Sequence, residues 1–177
     1  MFRLALVYGG LAGGVVIGIT TIGFAMSGGE IADNAQIVGY LIMFVALSVI
    51  FLAIKQYRDA RHGGVIKFWP ALTMGLAVSA VAGVVYVAVW EVFMFMTDYA
   101  FYDAYAASVL EAERARGASE AELNELSSKI ETALSQLSNP LFRLPITFLE
   151  IFPVGALISL ISAAILRNPG VLPARTT

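Results

Sequence analysis

Residues 69–96 read WPALTMGLAVSAVAGVVYVAVWEVFMFM, an apolar run in which Glu91 is the only charged residue. A helix of about 20 residues, rising about 1.5 Å per residue, crosses the hydrocarbon core of a bilayer. Three further runs of this kind cover about residues 4–26, 36–54 and 144–166. The sequence therefore predicts an all-α integral membrane protein with four transmembrane helices, organised as a single membrane domain over residues 1–177.

The composition supports this class and argues against several others. Hydrophobic residues make up 59% of the chain and charged residues 14%, with a mean hydropathy of +0.80. A soluble domain is about half apolar and about a quarter charged. Cysteine is absent and His62 is the only histidine, so we expect neither disulfides nor a metal site. The net charge of −2 indicates no nucleic-acid partner. No catalytic motif is present, and we expect neither enzymatic activity nor a cofactor.

Lysine and arginine are distributed unevenly between the predicted loops. Seven lie on the side that carries both termini, Arg175 included, and the second loop, whereas four lie on the other side. The first loop is short and acidic, with Glu30 and Asp33, and the third carries eight acidic residues. Lys and Arg are retained on the cytoplasmic side of a membrane. Both termini are therefore predicted to be cytoplasmic, in a bacterial inner membrane.

The third loop, about residues 98–138, is predicted to form an extracytoplasmic helical hairpin. Helix three is expected to continue through residues 98–116 and to end at Gly117. Ser119 and Glu122 have the spacing of a capping box. Apolar residues then recur at three- and four-residue steps over about residues 120–137, which indicates an amphipathic helix. Its apolar stripe either packs on helix three or the lipid surface, or forms a dimerisation surface or a lid.

Glu91 and Glu150 are the ionisable residues inside the predicted spans, five and six residues from the outer ends. A carboxylate is costly in a bilayer. Both are therefore candidates for a proton, ion or polar-ligand site, which Asp98 and Tyr102 extend because they share a helix face with Glu91. Alternatively, each carboxyl reaches the interface or bonds to a tyrosine hydroxyl, Arg143 or water. A shared carboxylate site would require the two acids to lie within about 6 Å.

A basic collar is predicted around the second loop. Its members are Lys55, Arg58, Arg61 and Lys67, with Trp69 at the headgroup level. Such clusters attract anionic lipid headgroups. The alternative is that these charges serve only to set the topology.

Small residues recur at four-residue steps in three spans and predict close helix packing. They are Gly10, Gly14 and Gly18 in span one, Gly75, Ser79 and Gly83 in span three, and Gly155 and Ser159 in span four. We expect them to pack the four-helix bundle, and a seam between copies of the chain is the alternative.

Several short motifs resemble a bacterial four-span membrane family known as domain of unknown function 4199. The most specific is Ile54-Lys-Gln-Tyr-Arg-Asp59, followed by Gly63-Gly64-x-Ile-x-Phe68. Others are Ala71-Leu-x-x-Gly75, Gly117-Ala-Ser-Glu-Ala-Glu122, Asn139-Pro140 and Phe148-x-Glu-x-Phe-Pro-x-Gly155. The resemblance implies an integral bacterial membrane protein with four helices, and it implies no activity, substrate or cofactor.

Two functional hypotheses follow. The first is a non-enzymatic membrane component that binds lipid, a membrane-protein partner or a second copy of itself. The alternative is a small oligomeric proton- or ion-linked transporter that uses Glu91 and Glu150.

Overall fold

The computed structural model describes residues 1–29, 31 and 34–174. Glu30 and Asp33 of the predicted acidic loop, and Arg175 of the tail, lie outside the described residues. Within the described ranges all regular structure is helical, which confirms the predicted all-α class. The helices there are α1 (Phe2–Met26), α2 (Ala35–Leu47), α3 (Val49–Arg61), α4 (Phe68–Met96), α5 (Ala100–Ala115), α6 (Glu120–Leu137) and α7 (Pro140–Leu166).

Four helical segments are long and apolar enough to cross a membrane: α1, α2 with α3, α4 and α7. The chain thus has the structure of a multi-pass membrane protein. Segment α2–α3 is interrupted only at Ser48, whose hydroxyl donates to the carbonyl of Val45, a bond of the kind that bends helices. Helix α3 ends at Arg61, because Gly63 and Gly64 adopt positive φ angles of 59° and 87°.

Helix α4 forms the centre of the bundle and packs along its length against α1 and α7. Small residues allow both approaches. A Cβ atom added to Gly75 would lie 2.7 Å from the Cβ of Ser159, and one added to Gly155 would lie 2.6 Å from the Oγ of Ser79. The predicted packing role of Gly75, Ser79, Gly83, Gly155 and Ser159 is therefore seen at the α4–α7 interface.

The first span packs through glycines other than the three predicted. A Cβ atom on Gly13 would lie 2.5 Å from the carbonyl oxygen of Ala82, and one on Gly9 would lie 2.7 Å from that of Val78. No atom lies within 4 Å of a Cβ atom built on the predicted packing residues Gly10, Gly14 and Gly18. The expectation that these three pack the bundle was wrong, because α1 turns the neighbouring glycine face toward α4.

The prediction that the third membrane helix continues through residues 98–116 was wrong. Helix α4 ends at Met96, and Asp98 and Tyr99 adopt left-handed φ angles of 48° and 60° before α5 begins. Such angles are unfavourable for residues other than glycine. The reversal places the ring of Phe101 4.8 Å from Trp90, between ring centroids. Aromatic contacts of this kind are favourable.

Helices α5 and α6 follow one another and contact each other. The predicted capping box starts α6, since the backbone N–H of Ser119 donates to Glu122 Oε2 at 2.8 Å and the N–H of Glu122 donates to Ser119 Oγ at 3.4 Å. Leu123 is buried, and Leu126 and Ile130 are half-buried, so the apolar stripe of α6 is partly covered. The side of the membrane on which this helix pair lies stays a prediction.

Candidate functional site

Polar side chains lie along the contact between α4 and α7, and we call this set the α4–α7 polar seam. It comprises three cross-helix pairs: Glu91 with Arg143, Tyr86 with Glu150, and Ser79 with Ser159. All three pairs lie within helices that could span a membrane, where polar groups are costly unless they bind one another. The seam is therefore the first candidate for a functional site.

Glu91 and Arg143 form a two-point ion pair. Arg143 Nε donates to Glu91 Oε1 at 2.8 Å, and Nη2 donates to Oε2 at 2.6 Å. Its Nη1 donates to the carbonyl of Leu137 at 3.0 Å, and the guanidinium carbon lies 5.2 Å from the ring centroid of Tyr99. Parallel hydrogen bonds of this kind are among the strongest that side chains form. The pair neutralises both charges and ties the ends of α4 and α7 together.

The start of α7 explains how Arg143 reaches this position. The helix begins at Pro140, four residues before the predicted span, and the side chain of its N-cap residue Asn139 accepts a hydrogen bond from the N–H of Leu141. Proline suits the first helical position because it has no N–H to leave unpaired. Arg143 therefore lies within the first turns of the helix, and only 4% of it is exposed.

Glu150 has a different partner. The hydroxyl of Tyr86 donates to Glu150 Oε2 at 3.2 Å, and Tyr86 is 5% exposed. Glu150 itself is an exposed residue on the side of the bundle. Within the described part of the chain no cationic side chain pairs with it.

The two carboxyls are not brought together. Along α4, Tyr86 lies five residues from Glu91, and along α7, Glu150 lies seven residues from Arg143. At about 1.5 Å per residue, the two pairs are separated by about 8–10 Å along the helix axes. The sequence places the two acids five and six residues from the outer ends of their spans, which implies a similar depth. This implication was wrong, because α7 lies about one and a half turns further along α4 than its apolar run indicates.

Asp98 and Tyr102 take separate places near the end of the seam. Asp98 is exposed at the break between α4 and α5, and the break removes it from the helix face of Glu91. Tyr102 is half-buried and stacks with Tyr99, with 6.3 Å between ring centroids. Burial raises the pKa of the Tyr102 phenol above its ordinary value. The structure thus keeps Tyr102 beside the Glu91–Arg143 pair and leaves Asp98 outside it.

The predicted basic collar is only partly available to lipid. Arg61, Lys67 and Trp69 are exposed, whereas Lys55 Nζ pairs with Asp59 at 2.6 Å. Arg58 is wholly buried. The prediction that Arg58 belongs to the lipid-facing collar was therefore wrong.

Arg58 instead holds the segment that follows α7. Its Nη1 donates to the carbonyl of Val171 at 2.9 Å and its Nη2 donates to that of Leu172, while Nε donates to Asp59. The segment returns to the bundle through the turn after Arg167, and Val171 packs against the core. No signal in the sequence indicates this contact, because backbone carbonyls have no residue signature.

Replacing Arg58 by methionine is expected to release this segment. Hydrogen bonds from a charged donor contribute about 1.5–3 kcal/mol each, so losing two should raise the exposure of the segment by tenfold or more. The measurement is the rate of maleimide labelling at Val171→Cys in detergent, since the natural sequence contains no cysteine. Arg61→Met is the matched control and should leave the rate unchanged. An unchanged rate in Arg58→Met would contradict the assignment.

The comparisons with known proteins identify a family but no relative of known activity. A family model described as a protein of unknown function (DUF4199) matches residues 7–168. This confirms the resemblance seen in the sequence. No curated protein and no solved structure matches the chain significantly.

Proposed function

We propose that this chain, which belongs to the DUF4199 family of proteins of unknown function, is a non-enzymatic membrane component that acts by binding another protein. It would lie in a bacterial inner membrane with both termini in the cytoplasm and the α5–α6 pair outside. The bundle would serve as a rigid support, and the helix pair would carry the contact surface.

The observation that carries this proposal is the division of the polar groups into two kinds. Within the spans, Glu91 is neutralised by Arg143 and the seam ties α4 to α7. In α5 and α6, by contrast, the charged residues other than Glu113 are exposed. Residues 100–137 contain seven acidic and three basic residues. A surface of this kind is typical of recognition and steering rather than of bundle stability.

Four exposed acids define what we call the acidic surface. They are Asp103, Glu111, Glu120 and Glu131. None of them forms an ion pair with the residues that the structure describes, whereas Glu113 pairs with Arg116 and Glu125 pairs with Lys129. Negative charge disfavours an anionic lipid surface and favours a positively charged partner. The partner that fits is therefore a basic region of another protein.

The proposal can be tested by photocrosslinking from the acidic surface. A crosslinking amino acid at the exposed Asn124 would be used with the full chain in its own membrane. We expect one captured species, lost in the double variant Glu111→Lys, Glu131→Lys and weakened by salt. The control variant Glu113→Gln changes an acid that is already paired. A captured species that is insensitive to charge reversal and to salt would contradict the proposal.

One observation favours the alternative of a proton- or ion-linked transporter. Glu150 is an exposed acidic residue within a span, and ionisable groups in such places mark proton relays. Glu91 is held by Arg143, so the alternative would depend on Glu150 alone. Proteoliposomes that contain the chain should show proton flux that Glu150→Gln abolishes and Glu111→Gln does not. The binding proposal predicts no proton flux with the parent chain or with either variant.

A further inference from the structure

A groove between α1 and α3 lies at the end of the bundle where α1 begins. It has a volume of about 520 Å³, which is in the range of small-molecule sites. Its lining is Arg3, Leu4, Val7, Tyr8, Leu11 and Gln56. The groove shares no residue with the acidic surface or with the α4–α7 polar seam.

The lining is polar at one end and apolar at the other. Arg3 lies in the first turn of α1, and Gln56 lies near the end of α3. Within the described residues, the side chains of Arg3, Tyr8 and Gln56 form no hydrogen bond or ion pair. One guanidinium, one amide and one hydroxyl are thus free to bind an oxyanion, and guanidinium is well suited to phosphate.

The apolar end continues along α1 as a strip in which two exposed apolar side chains are followed by two glycines. Val7, Leu11, Gly14 and Gly18 recur at steps of four, three and four residues, which places them on one helix face. No atom lies within 4 Å of a Cβ built on Gly14 or Gly18. From Val7 to Gly18 the strip is about 16 Å long, or about half the thickness of a bilayer core. It has the length that an acyl chain occupies in one leaflet.

We propose that this groove binds one anionic phospholipid, with its phosphate at Arg3, Tyr8 and Gln56 and one acyl chain along the strip. The headgroup and the chain would then lie at their ordinary depths in the membrane. Basic pockets between membrane helices select anionic headgroups. This site is distinct from the exposed collar residues Arg61 and Lys67, and it does not depend on the binding partner proposed for α5 and α6.

The test is native mass spectrometry of the full chain, released from micelles that contain equal amounts of phosphatidylglycerol and phosphatidylcholine. We expect one retained phosphatidylglycerol, preferred by about fivefold, since one basic residue near the surface contributes about that factor. Arg3→Gln should abolish the preference. Gln56→Glu should do so too, because a carboxylate beside Arg3 competes for it. Both residues are exposed, so both variants should fold.

Arg61→Gln is the matched control, because it removes an exposed basic residue outside the groove. It should keep the preference for phosphatidylglycerol. Equal retention of the two lipids by the parent chain would overturn the proposal. A preference that survives Arg3→Gln and Gln56→Glu would also overturn it, as would one that Arg61→Gln abolishes, since either result would place the lipid elsewhere.

Discussion

Replacing Arg143 by methionine should lower the free energy of unfolding by about 3 kcal/mol. The substitution leaves Glu91 inside a membrane helix without its cation, and an unpaired charge there is far more costly than the lost attraction alone. Since 24% of the Glu91 side chain is exposed, we expect a value near the low end of the range for buried pairs. The measurement is equilibrium unfolding in mixed micelles.

The double variant Glu91→Met, Arg143→Met separates charge burial from packing. It removes both charges together, so it should be more stable than Arg143→Met alone. Arg114→Met, in an exposed position on α5, should change the stability by less than about 0.5 kcal/mol. A double variant that is less stable than the single one would contradict the ion-pair assignment.

The second large effect is expected from Gly13→Leu. A Cβ atom at this position would lie 2.5 Å from the carbonyl oxygen of Ala82 and 3.1 Å from its Cα. These are backbone atoms of α4, so they cannot move aside as a side chain could. The helices must separate, and overpacking of this kind costs up to about 3 kcal/mol.

Gly14→Leu is the matched control for Gly13→Leu. It has the same change in volume and helix propensity at the adjacent residue, and its Cβ atom meets nothing within 4 Å. Unfolding of both variants in lipid-free micelles should therefore show a difference of about 3 kcal/mol in favour of Gly14→Leu. Equal stability of the two variants would show that α1 does not pack on α4 through this face.

The two glycine faces of α1 show what the sequence could and could not predict. Apolar length is a local property, so the spans were recognised from composition alone. Gly9 with Gly13, and Gly10 with Gly14 and Gly18, have the same four-residue spacing. Only the packing partner decides which face is used, and that partner is distant in the chain. The break after Met96 has a similar cause, because the Phe101 contacts that accompany it are with Trp90 and Phe24.

The sequence singles out the two acids of the α4–α7 polar seam but leaves their partners open. Glu91 and Glu150 stood out because ionisable residues are rare within spans, and Arg143 and tyrosine were named as alternative partners. The pairing itself depends on how far α7 slides along α4, which apolar runs do not define. Arg58 was misplaced for another reason. An arginine that binds distant backbone carbonyls looks the same in sequence as one that faces lipid.

We expect the chain to cross the membrane four times, with α5 and α6 on the side opposite His62. The chain lacks cysteine, so Ser119→Cys and His62→Cys, both at exposed positions, can each report one side. We predict that a membrane-impermeant maleimide labels Ser119→Cys in right-side-out vesicles and labels His62→Cys only after permeabilisation. Labelling of both positions from the same side of intact vesicles would contradict the claim.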